Sequence, residues 1–207
     1  MNKNKTLILV RHAQVKKVDG YIPKNNPSAL INLDHIQKLA NYIPEASSCY
    51  VSPLKRTIQT AKALSKFVNF EDITEAKDLV EQNFGDWAGK RISDVWEELK
   101  HNKSQHIFSF ICPEICPPNG DSYLDQCKRV ANFIDNFNFE NKNSVVLITH
   151  AGTIRAILSH ILEIEPDKSI GIEISHLSCT LIEVINKNHH NHRGGRYRLL
   201  KVNQQII

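Results

Sequence analysis

An α/β domain built on a mostly parallel central sheet, with helices on both faces, is the fold that this sequence predicts. Three observations predict it. Two uninterrupted apolar runs, 7–10 and 145–148, have the length and β-favouring character of strands buried on both sides. Strand-like segments alternate with segments whose apolar residues recur at helical spacing, the pattern of parallel strands joined by crossover helices. No internal repeat or linker interrupts the chain, so residues 1–207 read as a single domain, long enough for a full core.

The elements follow in order. After the first strand, residues 15–29 carry Gly20, Pro23 and Pro27 among polar residues and read as a long loop. Asp34 is placed to cap a helix running to about Ile43, with Ile36, Leu39, Ala40 and Ile43 on one face. Ser48–Val51 is a short strand. Ser52-Pro53 then reads as an N-cap followed by Pro at the first helical position, opening a helix on Leu54, Ile58, Ala61, Leu64 and Val68. Residues 69–90 look irregular, with a third strand near 73–76. A helix over 91–100 has Ile92, Val95, Trp96 and Leu99 as its stripe, and 102–120 reads as loop with room for one short helix. Asp121 opens a longer helix whose buried face is Leu124, Cys127, Val130, Ala131, Ile134 and Phe137. Strand 144–149 and a helix over 153–162 on Ile154, Ile157, Leu158 and Ile161 come next. Two final strands, Thr180–Ile185 and Arg196–Val202, flank a polar turn with Gly194-Gly195.

Composition narrows the partners. The formal net charge of +4 is too mild to imply nucleic acid, but it favours an anionic small molecule. Five scattered cysteines are not a disulfide framework and point to a reducing cytoplasm. The apolar run after the basic N-terminus is four residues long, against roughly 7–15 for a signal peptide and about 20 for a membrane span. Neither nucleic acid nor membrane is therefore expected as a partner.

The chemistry concentrates in four blocks. Arg11-His12 and Thr149-His150-Ala151-Gly152 each end an apolar strand, where ligands of open α/β sheets bind. Arg56 lies about one turn into the helix behind Ser52-Pro53. Glu81, among Leu79, Val80, Phe84 and Trp87, supplies a carboxylate in an apolar setting, with Glu75 and Asp86 as fallback acids. Two arginines and two histidines near a helix N-terminus suit a phosphate dianion. An imidazole beside a permanent cation suits attack on phosphorus.

Arg11-His12 with His150, Ser52-x-x-x-Arg56-Thr57-x-x-Thr60-Ala61, and Glu81 ahead of Phe84-Gly85-Asp86-Trp87 resemble the histidine phosphatase superfamily, the phosphoglycerate-mutase-like group. The resemblance runs from residue 7 to about 162, with the blocks in the family's order. Pro117-Pro118-Asn119-Gly120-Asp121-Ser122, together with the compact length, looks most like α-ribazole-phosphate phosphatases. The resemblance implies a phosphoglycerate-mutase-like fold and phosphomonoester hydrolysis without metal or other cofactor, acting on a small phosphorylated metabolite such as α-ribazole 5'-phosphate. It implies that His12 attacks the phosphoryl group and becomes a phosphohistidine, and that Arg11, Arg56 and His150 hold the non-bridging oxygens. Gln14 and Ala151 fall at further substrate-binding positions. Glu81 is implied as the acid that protonates the leaving alkoxide and then helps water attack, a task that favours a desolvated carboxyl.

The sequence departs from the family at several positions. Ala13 stands where the family usually has Gly, which a negative φ would allow. Val15 replaces a small hydroxyl residue, and Val18 replaces an Asn donor, a loss of about 1 kcal/mol. Ile31 and Asp34 depart from the next block. Two rivals follow: a phosphoglycerate-type mutase that returns the phosphoryl group, and a phosphate-binding protein whose catalysis has decayed. Three blander patterns are set aside. His101, His106, Cys112 and Cys116 match zinc spacing only loosely. His189, His190 and His192 read as a solvated turn, and the basic stretch 187–201 reads as an exposed edge strand that offers one route to a homodimer.

Overall fold

The computed structural model describes residues 4–24, 26–99, 106–185 and 194–205. A six-stranded sheet carries the fold: β1 (Lys5–Arg11), β2 (Ser48–Val51), β3 (Asp72–Glu75), β4 (Ser144–Thr149), β5 (Cys179–Val184) and β6 (Tyr197–Gln204), in the order β3-β2-β4-β1-β5-β6. β3, β2, β4 and β1 run parallel, and β5 turns antiparallel to β1 and β6. The helices are α1 (Leu33–Ala40), α2 (Lys55–Leu64), α3 (Ile92–Glu98), α4 (Tyr123–Asn136), α5 (Ala151–Ile161) and α6 (Pro166–Ser169).

The two apolar runs are the centre of the sheet because both of their faces are covered. Leu7, Leu9, Val145 and Leu147 point to one side and pack with Val130 and Ile134 of α4 and Ile154 and Ile157 of α5. Ile8, Val10, Val146 and Ile148 point to the other side and meet Ile36 and Leu39 of α1 and Ala61 and Leu64 of α2. This period-2 division of a continuous apolar run is what a strand between two helix layers requires. A smaller cluster of Ile22, Trp87, Val95 and Ile111 knits the long loops over the carboxyl end of the sheet.

Topology then positions the site. After β1 the chain passes to α1 on one face, and after β4 it passes to α5 on the other. The carboxyl ends of these adjacent strands therefore bound the crevice where the connections diverge. Their register pairs Arg11 with Thr149, so His12 and His150 are the next residues on neighbouring strands.

Several local expectations are corrected. Asn32, not Asp34, caps α1, accepting from the backbone N–H groups of Asp34 and His35. Ser52-Pro53 does not cap α2, whose N-cap is Leu54, because the Ser52 hydroxyl is committed to His150. Ser122 rather than Asp121 starts α4, through a reciprocal capping box with Asp125. The buried face of α4 is Tyr123, Gln126, Val130 and Ile134, one position away from the expected Leu124 and Cys127 at its start. α5 begins at Ala151, directly after His150, and α6 is an unexpected one-turn helix opened by Pro166. Residues 106–120 contain no helix. His101 and the 189–192 histidines lie outside the described residues, within which no group of three or more His, Cys, Asp or Glu side chains could hold a metal ion.

Leu147 is fully buried at the centre of the larger core. Leu147→Ala is expected to lower unfolding free energy by about 2–5 kcal/mol in a denaturant titration.

Candidate active site

Register alone brings the two histidines together. The His12 N–H donates to the Thr149 carbonyl at 3.0 Å, and the rings meet edge-to-face with centroids 5.1 Å apart. β2 ends level with them, since Ser52 N–H donates to the Ile148 carbonyl at 3.1 Å. Arg56 reaches in from the first turn of α2, and its Nε–H is shared between His12 Nε2 at 3.1 Å and His150 Nδ1 at 3.2 Å.

That shared bond fixes both tautomers, because a guanidinium can only donate. His12 must accept at Nε2, so its proton is on Nδ1, which donates to the Ala13 carbonyl at 2.6 Å. His150 must accept at Nδ1, so Nε2 carries the proton and donates to Ser52 Oγ at 2.8 Å. The lone pair of His12 Nε2 is thus directed at the cationic centre of the pocket. Burial, reinforced by His150, pushes the His12 imidazole down to about 2. Burial and the nearby Arg56 and Arg11 cations push His150 in the same direction. Both rings are neutral near pH 7.

Ala13 resolves one departure from the family pattern. It is buried, and it is not among the described residues with positive φ, so its methyl needs no strained backbone. Its N–H donates to Thr60 Oγ1 at 2.9 Å, while that hydroxyl donates to the Arg56 carbonyl at 2.7 Å. Val18 and Ile31 are exposed and lie outside the cavity wall. Val15 is buried and lies on it.

The cavity has a volume of about 390 Å³ and is lined by Arg11, His12, Arg56, Glu81 and Ala151, among others. His150 lies behind Arg56, fully buried. Gln14 does not line the cavity: its side chain is exposed and its backbone carbonyl accepts from Leu30. Arg11 donates to the Ile174 carbonyl at 2.6 Å, while its buried Nε has no partner. Burial lowers the Arg11 guanidinium to about 10, which leaves it cationic at neutral pH. Lys17, Lys24 and Arg155 add positive charge to the walls, and Glu81 is the sole acid among the described lining residues. Glu75 and Asp86, the fallback acids, are exposed and outside the lining.

Glu81 is held rather than merely nearby. Its Oε2 accepts from the Gly152 N–H at 3.1 Å, and its Oε1 accepts from Gln126 Nε2 at 2.8 Å and Gln82 N–H at 3.3 Å. Arg129 fastens the backbone of this segment through the Val80 carbonyl at 3.0 Å and pairs with Asp121 at 2.8 Å. Sequence reasoning missed three of the contributors. Arg155 could have been found one turn along α5 from His150, and Gln126 by shifting the α4 stripe one position. His176, whose ring packs 5.3 Å from that of His12, sits in a loop with no sequence signal.

The chain belongs to the histidine phosphatase superfamily (branch 1), whose profile matches residues 7–194. It is 27% identical over 186 residues to a 2,3-bisphosphoglycerate-dependent phosphoglycerate mutase of Thermoplasma acidophilum, covering 87% of this chain and 88% of that one. It is 25% identical over 193 residues to phosphoserine phosphatase 1 of Hydrogenobacter thermophilus, covering 86% of each. The fold is shared with the α-ribazole phosphatase of Shigella flexneri, at a TM-score of 0.75 with 20% identity and 98% coverage of both chains.

Two predictions follow from this geometry. A Cβ on Gly152 would overlap Glu81 Oε1 and crowd Gln126 Oε1. Gly152→Ala is therefore expected to displace the carboxylate and lower kcat on an alkyl phosphate by about 100-fold, read in a phosphate-release assay. The unfolded chain binds protons at His12 and His150 below about pH 6.5, while the folded chain resists them. Tm is expected to fall as pH drops from 6.5 to 4.5, and His12→Asn is expected to flatten that slope in a thermal scan series.

Proposed function

We propose that this chain is a phosphomonoester hydrolase that works through a phosphorylated His12. The observation that carries the reading is the pair of tautomers imposed by Arg56, which leaves a neutral Nε2 lone pair facing a cationic pocket. In the first step the Arg56 N–H leaves His12 Nε2 for His150 Nδ1 and the phosphoryl oxygens, and the freed lone pair forms a P–N bond as the ester P–O bond breaks. Arg11 and Arg56 offset the charge on the non-bridging oxygens, the main term in phosphoryl transfer. His150, neutral and buried behind Arg56 with its N–H on Ser52, holds the Arg56 guanidinium and, against expectation, does not itself face the oxygens. Glu81 passes its proton to the departing oxygen, then takes a proton from the water that attacks phosphohistidine. Release of inorganic phosphate restores the neutral imidazole.

The proposed substrate is a small phosphorylated metabolite, with α-ribazole 5'-phosphate the reading suggested by the 117–122 segment. A mutase reading draws its support from the phosphoglycerate mutase of Thermoplasma acidophilum, and it differs in outcome: the phosphoryl group returns to the organic molecule instead of leaving as phosphate. The proposed setting is a reducing cytoplasm, in keeping with five free thiols. No helix among the described residues is long and apolar enough to cross a membrane. A homodimer, if formed, is proposed to use edge strand β6, where Leu200 and Val202 are exposed.

The test is phosphate release from α-ribazole phosphate, 3-phosphoglycerate, phosphoserine and p-nitrophenyl phosphate, with chelator present. Turnover is expected in the wild type, with an acid-labile phosphoenzyme trapped on rapid quench. His12→Ala is expected to lose both, with activity down at least about 10⁴-fold. Phosphate binding without turnover would establish the binding-protein reading instead, and transfer without release would establish the mutase.

A further inference from the structure

We propose that Gln126 is a positioning residue for proton transfer: its amide holds Glu81 in the pocket and turns over as that carboxyl gains and loses its proton. The proposal rests on the reading of Glu81 as the acid. Gln126 is completely buried on the face of α4 where the helical pattern calls for an apolar side chain. Its Nε2 donates to Glu81 Oε1 at 2.8 Å and to Thr153 Oγ1 at 2.9 Å, with a longer contact to the Val80 carbonyl at 3.4 Å. Its Oε1 is buried against Gly152 and has no hydrogen-bond partner. An amide with an orphaned buried oxygen is a poor way to fill a core, where Leu or Met would leave nothing unpaired.

The orphaned oxygen has a use when the charge on Glu81 changes. An ionised carboxylate can only accept, and it takes the N–H that Gln126 now offers. A protonated carboxyl needs an acceptor for its O–H. Half a turn about the Cγ–Cδ bond puts Gln126 Oε1 where Nε2 now sits, facing Glu81. Thr153 can follow, because its hydroxyl accepts from Gln126 now and, once freed from the Val80 carbonyl at 3.1 Å, can donate to Oε1. Each orientation satisfies the Glu81 and Thr153 contacts and leaves one end of the amide unpaired, which keeps the two close in free energy. The other groups hydrogen-bonded or electrostatically coupled to Glu81 among the described residues are donors or cations. Arg11 from β1 and Arg56 from α2 are cations that act on it through space, and Gln82 and Gly152 present backbone N–H groups. Arg129, the remaining charge on this side of α4, is engaged with Asp121 and the Val80 carbonyl.

The test compares kcat/KM, which reports formation of the phosphoenzyme, on two substrates. An alkyl phosphate has a poor leaving group that needs the proton, and p-nitrophenyl phosphate has a good one that does not. Gln126→Leu is expected to lower kcat/KM on the alkyl phosphate by about 10–100-fold and on p-nitrophenyl phosphate by under about threefold. Gln126→Met, an unbranched filler of similar length, carries the same test if the Leu variant does not fold. Glu81→Gln is the control. If it shows the leaving-group dependence and the Gln126 variants lower both substrates equally, or neither, the role of Gln126 is overturned while that of Glu81 stands. If Glu81→Gln lowers both equally, the acid assignment fails and the proposal falls with it.

Discussion

A single Arg56 N–H shared between two imidazoles is the interaction on which the site depends. Because a guanidinium has no acceptor, its position dictates which nitrogen of each ring holds a proton. His12 is thereby given a lone pair facing the pocket, and His150 a proton facing Ser52. Burial adds to this by keeping both rings neutral. A neutral nucleophile beside permanent cations is a demanding combination in water, where cations and imidazoles are free to reorient. Here the tautomers are set by hydrogen bonds that exist before any ligand arrives.

The scaffold makes that interaction inexpensive. β1 and β4 are paired in register, so two residues far apart in sequence become neighbours with no loop needed to position them. The strands are clamped from both sides by helix layers, and the chain leaves the two strand ends toward opposite faces. The crevice between them is a consequence of connectivity. Positively charged groups around it are spread over β1, α2, α5 and the loop at Lys17 and Lys24. That distribution keeps their mutual repulsion tolerable while their fields add at the centre.

Glu81 shows a different kind of construction. It lies in a loop, yet it is held by α5 through Gly152, by α4 through Gln126, and by Arg129 through the backbone beside it. The absence of a side chain at Gly152 is what lets the carboxylate approach the start of α5. Two helices, α4 and α5, therefore fix a carboxylate that its own loop would leave free to move. This also means that the chemistry of this carboxyl is decided by neighbours that are themselves buried and polar.

How much of this was legible depends on the range of the forces involved. The central strands and the helix alternation were readable because burial on two faces leaves a local pattern. Arg11, His12 and His150 were singled out by their place at strand ends, whereas Arg56 and Glu81 stood out through the family's blocks; the structure brings all five together. Ser52 was misread as a helix cap because a hydroxyl beside Pro has the same local signature whether it caps or serves a distant imidazole. Gln14 was placed in the pocket by the resemblance, but a β-strand and its exit turn send adjacent side chains to different places, and this residue is exposed and outside the lining. Gln126 and Arg155 lie at helical spacing from residues that were read, but only the packing shows that they face the cavity, and His176 carries no local pattern at all. Thus the sequence by itself determined the fold class, which follows from residue type and periodicity, and through the resemblance it named candidate reactive groups. The tertiary structure alone decided the tautomers, the grip on Glu81 and the shape of the cavity, since these arise from contacts between residues distant along the chain.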